Sequence, residues 1–215
     1  MKAKNNVTEI VFILDKSGSM SGFEADTVGG FNSTLKRQRG EEGKAYVSTL
    51  LFNTYTEVIH DRVPIENVPL MTENDFVVSG CTALLDALGG AIKHISNIHK
   101  YARAEDVPSS TIFIIMTDGM ENASREYNSA TVKRMISEKQ EKGWEFIFLA
   151  ANIDAVETAD SIGIRRDRAS NYRQDKKGVK ASYDAMYCAI TRVRRGDSLD
   201  DGDWRTSLDV ENGEV

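Results

Sequence analysis

Cysteine is scarce in this chain: 2 among 215 residues, Cys81 and Cys188, far apart and in no ligand-spaced cluster. That excludes a disulfide framework and a thiolate metal site, and predicts two reduced, mostly buried thiols. Long apolar runs are also missing, since none approaches the roughly 20 residues that a membrane-crossing helix needs. The opening MKAKNNVTEIVFILDKSGSM has a short basic start and a brief apolar stretch broken by Asp15. It lacks the apolar region and small-residue cleavage site of a secretory signal. Positive charge is in deficit: 27 Lys and Arg against 33 Asp and Glu give a net charge of −6. Such a balance gives no electrostatic footprint for non-specific nucleic-acid binding. The expectation is a soluble, cytoplasmic protein with no membrane and no direct nucleic-acid contact.

What is present is a core. Hydrophobic residues make up 40% of the chain, enough for one sizeable domain. Three near-continuous apolar runs, TEIVFILD (8–15), TIFIIMTD (111–118) and WEFIFLAANID (144–154), suit strands covered on both faces. Helical patterns separate them. Val28, Phe31 and Leu35 share one face, and Leu84, Leu88, Ile92 and Ile95 form a broad stripe behind an N-cap candidate, Thr82. Val132, Met135 and Ile136 mark a third helix, AVETADSIG a short fourth, and Met186, Ala189, Ile190 and Val193 a last one. AYVSTLLFNTYTEVIHDRVP breaks the alternation and reads as an antiparallel hairpin turning near Asn53, with its second strand at the sheet edge. The division is one domain over 1–195 and an acidic tail over 196–215, nearly without periodicity and disordered on its own.

An aspartate ending a buried strand is costly unless something pairs it. Asp15 is followed by Ser17 and Ser19 in DKSGSM, a second strand ends at Asp118 in MTDG, and Thr82 opens the next helix in GCTALLDA. In open α/β sheets such strand ends share a crevice when the strands are neighbours. The collected groups are two carboxylates and three hydroxyls. An all-oxygen set suits a hard dication such as Mg²⁺, with Mn²⁺ or Ca²⁺ as alternatives, and speaks against zinc. Two carboxylates only just neutralise a dication, leaving it able to accept an acidic group from outside.

DKSGS, the Thr of GCTALLDAL and MTDG together resemble the metal-ion-dependent adhesion site of the von Willebrand factor A domain family, over roughly residues 7–195. The resemblance implies metal ligands at Asp15, Ser17, Ser19, Thr82 and Asp118, with Asp118 reaching the metal through water. It implies a three-layer, Rossmann-like doubly wound α/β fold, its sheet mostly parallel with one antiparallel edge strand. DKSGSMSG and TDGMENAS resemble bacterial and phage-type members. The function implied is a non-catalytic module that binds another protein through an acidic side chain, as an adaptor beside an ATPase or in a stress- or phage-related system.

The alternative is a Mg²⁺-dependent, phosphatase-like hydrolase using Asp15 as nucleophile. That chemistry needs a second acid near the nucleophile for the leaving group. The residue two after Asp15 is Ser17, which cannot serve. His60, His94 and His99 have neither zinc nor catalytic spacing and read as solvated surface residues. Glu121 and Asn122 fit a partner-facing rim or an ordinary exposed loop. The basic clusters RRDR (165–168) and RVRR (192–195) read as solvated faces that the acidic tail could pair, and Trp204 stands out in that tail.

Overall fold

A computed structural model describes residues 6–213. The chain runs β1 (Val7–Asp15), α1 (Glu24–Gln38), β2 (Lys44–Phe52), β3 (Thr56–Pro64), α2 (Leu84–Tyr101), β4 (Ser110–Thr117) and α3 (Ser129–Gln140). It continues with β5 (Trp144–Ala150), α4 (Ala155–Ser161), β6 (Ala169–Asn171), α5 (Lys176–Arg195) and α6 (Thr206–Asn212). The six strands form one sheet in the order β3-β2-β1-β4-β5-β6. Every pairing is parallel except β2 with β3, the antiparallel edge hairpin.

The apolar runs are continuous because each strand feeds two cores. In β1, Ile10, Phe12 and Leu14 enter one core while Val11 and Ile13 enter the other, and β4 divides Ile112 and Ile114 from Phe113 and Ile115 in the same way. The first core is closed by α1, α5 and α6, with Phe31 edge-on to Phe12 at 5.2 Å. The second is closed by Leu84, Leu88 and Ile92 of α2, Val132 and Ile136 of α3, and Ala155 and Ala159 of α4. The helix after β1 thus covers one face and the helix after β4 the other. A crevice opens between the carboxyl ends of these two adjacent strands, the position where such sheets bind ligands.

The acidic tail departs from its expected disorder. A short 3₁₀ turn (Asp203–Arg205) and α6 pack on α5, with Leu199 at 1%, Trp204 at 0% and Leu208 at 0% exposure. Its acidic residues meet the basic clusters: Asp200 accepts from Arg168 at 2.6 Å and from Arg165 at 2.8 Å, and Asp201 pairs with Arg192. Three apolar side chains suffice because α5 already offers them a face. Arg168 and Arg194 are themselves buried rather than solvated; Arg194 donates to the Gln38, Glu41, Glu42 and Gly43 carbonyls around the end of α1.

The histidines and cysteines need correction too. His60 is buried on β3, 3.0 Å from the Thr49 hydroxyl and stacked on Phe31, and its burial holds its pKa below the usual value. His99 lies mostly covered beside Glu9, and only His94, paired with Asp61, is surface-exposed. Cys81 is exposed and Cys188 half-buried, both free thiols. Among the described residues no helix is long and apolar enough to cross a membrane.

Candidate metal centre

The register of the sheet places Asp15, at the end of β1, beside Thr117, at the end of β4. Asp15 is 1% exposed, and both of its oxygens are paired. Oδ1 accepts the Ser17 N–H at 2.7 Å and Oδ2 accepts the Thr117 hydroxyl at 2.6 Å. From Ser17 the contacts run outward. Its hydroxyl lies 3.1 Å from that of Ser19, which donates to Asp118 Oδ1 at 2.5 Å. Asp118 Oδ2 accepts the Gln174 amide at 2.8 Å.

Thr82 joins this cluster across Gly119. A Cβ built on Gly119 would lie 3.3 Å from the Ser19 hydroxyl and 3.3 Å from the Thr82 hydroxyl. A glycine there keeps open a cradle that a side chain would fill. The structure therefore brings together all five residues singled out in the sequence.

Burial raises the pKa of Asp15, against the opposing bonds from Thr117 and Ser17. Burial also pushes Asp118 up to about 6, with the Asp15 charge acting the same way and the Ser19 bond opposing. Two buried carboxylates that resist ionisation side by side are a ready site for a cation, which favours the charged form of both. Because Ser19 spends its proton on Asp118, it accepts from the Ser17 hydroxyl, and its second lone pair is left for a cation. Among the described residues no group of three or more His, Cys, Asp or Glu could hold a metal, so any cation here needs the hydroxyls. The donor set and the cradle at Gly119 fit a hard divalent ion.

Thr82 is not the N-cap of α2. That position is Ala83, which offers no side-chain bond, and the cap comes from the loop after β4. Glu121 accepts the Leu85 N–H at 3.0 Å, and Ser124 accepts the Asp86 N–H at 3.1 Å. Asp86 returns the bonding by accepting the N–H groups of Arg125, Glu126 and Tyr127. Asn122 holds Thr82 itself, accepting its N–H at 2.9 Å and donating its own N–H to the Thr82 carbonyl at 3.0 Å. Glu121 and Asn122 thus fasten two ligand loops together and are not a bare rim.

Sequence reasoning missed Thr117 and Gln174. A hydroxyl ending the strand beside Asp118 was a readable signal for the first; nothing in NYRQD marks the second. Around the centre stand exposed apolar side chains: Tyr55 at 80%, Val77 at 60% and Met120 at 72% exposure. Their loops are tied to it, since Thr54 accepts the Cys81 N–H at 2.9 Å and Ser79 donates to the Lys16 carbonyl at 3.0 Å.

No family model and no curated protein matches the chain by sequence. Solved structures match it by shape. One is the proximal thread matrix protein 1 of the mussel byssus, with TM-score 0.58 and 11% identity over 86% of this chain and 46% of that one. A second structure of that mussel protein, described with a zinc-occupied MIDAS motif, gives TM-score 0.58 and 12% identity over 86% and 46%. A von Willebrand factor type A protein from Catenulispora acidiphila gives TM-score 0.55 and 13% identity over 84% and 42%. The chain spans less than half the length of each of these structures. At such identities the likeness speaks for the fold, and the fold of this chain is that of a von Willebrand factor type A domain.

Proposed function

We propose that this chain is a non-catalytic, divalent-cation-dependent protein-binding module. Asp15, Ser17, Ser19, Thr82 and Asp118 would hold Mg²⁺, and a carboxylate from a partner protein would complete its coordination. The observation that carries this reading is the meeting of two buried carboxylates with three hydroxyls in the crevice between β1 and β4. The mussel protein of similar fold, described with a zinc-occupied MIDAS motif, supports a divalent metal at such a motif. Exposed Tyr55, Val77 and Met120 around a polar centre suit a protein surface better than a small substrate. A cleft of about 610 Å³ continues from Ala83 and Ala123, beside the Thr82 loop, between α2 and β3.

The non-catalytic reading draws support from Asp15 itself. Both of its oxygens are engaged, which holds the carboxylate in place instead of freeing it to attack phosphorus. The nearest lysine in sequence, Lys16, is tied to Glu57 at 2.5 Å. Mg²⁺ is read from the all-oxygen donor set, a cytoplasmic setting from the two scattered cysteines, and a bacterial or phage-type role from the motifs DKSGSMSG and TDGMENAS.

Thermal unfolding with and without Mg²⁺ or Mn²⁺ tests the site. With cation at about a hundred times Kd, linkage adds about 2.7 kcal/mol, and Asp15→Ala should abolish the rise. A rise that survives in Asp15→Ala and in Asp118→Ala would place the metal elsewhere. Hydrolysis of p-nitrophenyl phosphate that is lost in Asp15→Ala would favour the phosphatase alternative.

A further inference from the structure

A hydroxyl can serve as a metal ligand only if its proton has somewhere else to go. At Ser19 that place is Asp118 Oδ1. The presentation of Ser19 therefore depends on how firmly the Asp118 carboxylate is held. Asp118 sits past the end of β4, in a loop, where nothing in the strand ladder fixes its rotation.

Its second oxygen is held by Gln174. The Gln174 amide nitrogen donates to Asp118 Oδ2 at 2.8 Å and to the Ser19 carbonyl at 3.1 Å, so both of its protons are used within the centre. The amide oxygen accepts the Asn152 side-chain N–H at 2.6 Å. Turning the amide over would set its oxygen against a carboxylate and a carbonyl at once, so the partners dictate one orientation. Asn152 adopts a left-handed φ of 58°, which asparagine tolerates better than most residues.

The turn carrying Gln174 is also built in advance. Asp175 caps α5 by accepting the Gly178 N–H at 2.8 Å, and the Asp175 N–H closes onto the Arg173 carbonyl at 2.8 Å. A Cβ at position 178 would come within 2.0 Å of that carbonyl oxygen, so the turn requires glycine there.

We infer that Gln174 is a positioning residue of the metal centre: anchored by Asn152, it fixes Asp118 so that Ser19 turns a lone pair toward the cation. The inference rests on the metal-dependent reading above. It extends the centre from the three loops that carry its ligands to the loops after β5 and β6. Residues that orient a ligand through hydrogen bonds commonly change metal affinity by about 10–100-fold when removed.

The test is calorimetric titration of the full chain with Mn²⁺ and with Mg²⁺, beside the unfolding midpoint measured without added metal. Gln174→Met keeps the length of the side chain and removes its donors. It should weaken both cations by about 10–100-fold while lowering the midpoint less than Thr117→Val does, because the Gln174 bonds are partly open to water. A residue that merely braced the start of α5 would move the midpoint and spare the affinity. Asn152→Gly, at an exposed position, keeps the left-handed backbone and removes the amide; it should weaken binding in the same direction by less, and it serves as the check if Gln174→Met folds poorly. Affinity within twofold of the parent in either folded variant overturns the inference and leaves the metal reading standing. A parent chain that binds neither cation overturns the metal reading, whatever Gln174 does.

Discussion

The Thr117 hydroxyl donates to Asp15 Oδ2 at 2.6 Å, joining the ends of two neighbouring strands across 102 positions of sequence. Thr117 has no exposure, so the bond is shielded from water on one side. Thr117→Val keeps the shape and removes the donor. Leaving a buried carboxylate oxygen short of a partner costs about 1–3 kcal/mol. The variant should melt earlier, and its Mg²⁺ affinity should fall as Asp15 loses its orientation. Calorimetric titration beside a melting curve separates the two effects. A variant unchanged in both would mean that the bond does not orient Asp15.

The pH dependence follows from Asp118, whose pKa burial raises from 3.8 to about 6. Between those values the folded chain holds a proton that the unfolded chain has released. Without divalent cation, this carboxyl's contribution to stability is full below 3.8 and is lost as pH rises through about 6. A cation competes with that proton. Stabilisation by Mg²⁺ should therefore be small at about pH 5, grow through 6 and level off near 7.5. Asp15, raised for the same reason, steepens the trend. Melting curves across that range, with and without Mg²⁺, check it, and a pH-independent cation effect would contradict it.

The strands and most of the ligand set were legible in the sequence for one reason. β1, β4 and β5 are covered on both faces, so their apolar runs are unbroken, and the polar residues that interrupt them at Asp15 and Asp118 stand out. What was not legible is bonding between residues distant in sequence. The cap of α2 comes from Glu121 and Ser124, which no local N-cap pattern at Thr82 could indicate. Gln174 reaches Asp118 only because the loop after β6 comes back past the loop after β5 to that after β4, a fact of topology. His60 and Arg168 look solvated by residue type and are buried by their partners, Thr49 for one and Glu145 and Asp200 for the other.

Glu121 accepts from four groups: the N–H of Leu85, Ala123 and Ser124 and the Ser124 hydroxyl. It is both a cap for α2 and the closure of its own loop. Glu121→Ala should cost about 1–2 kcal/mol, the upper range for losing a helix cap. Glu121→Gln keeps acceptor atoms and should recover part of that. Because the same loop holds Thr82 through Asn122, Glu121→Ala should also weaken Mn²⁺ binding. Hydrogen exchange at Leu85 and Asp86 reads the loss of the cap directly. Unchanged protection there would show that the helix start is held by other contacts.

Trp204 decides whether the acidic tail belongs to the fold. It is fully buried, among the largest side chains with no exposure, and it packs with Leu199 and Leu208 in the core shared by α1 and α5. Truncating a buried tryptophan to alanine costs about 3–5 kcal/mol. For a chain of this size that lowers the melting temperature by roughly 6–20 °C. A tail that merely brushed the surface would make Trp204→Ala nearly neutral. The arginines on either side keep the segment in place under mild acid. Asp200 titrates at about 2, held down by its bonds to Arg168 and Ser198. Its lowered pKa contributes stability that is present above 3.8 and lost only as pH falls toward 2. The emission of Trp204, isolated by Trp144→Phe, should therefore stay blue-shifted from neutral pH down to about 4. A red shift well above that value would place the tail in solvent while the rest of the domain is still folded, and would return residues 196–215 to a separate, loosely held segment.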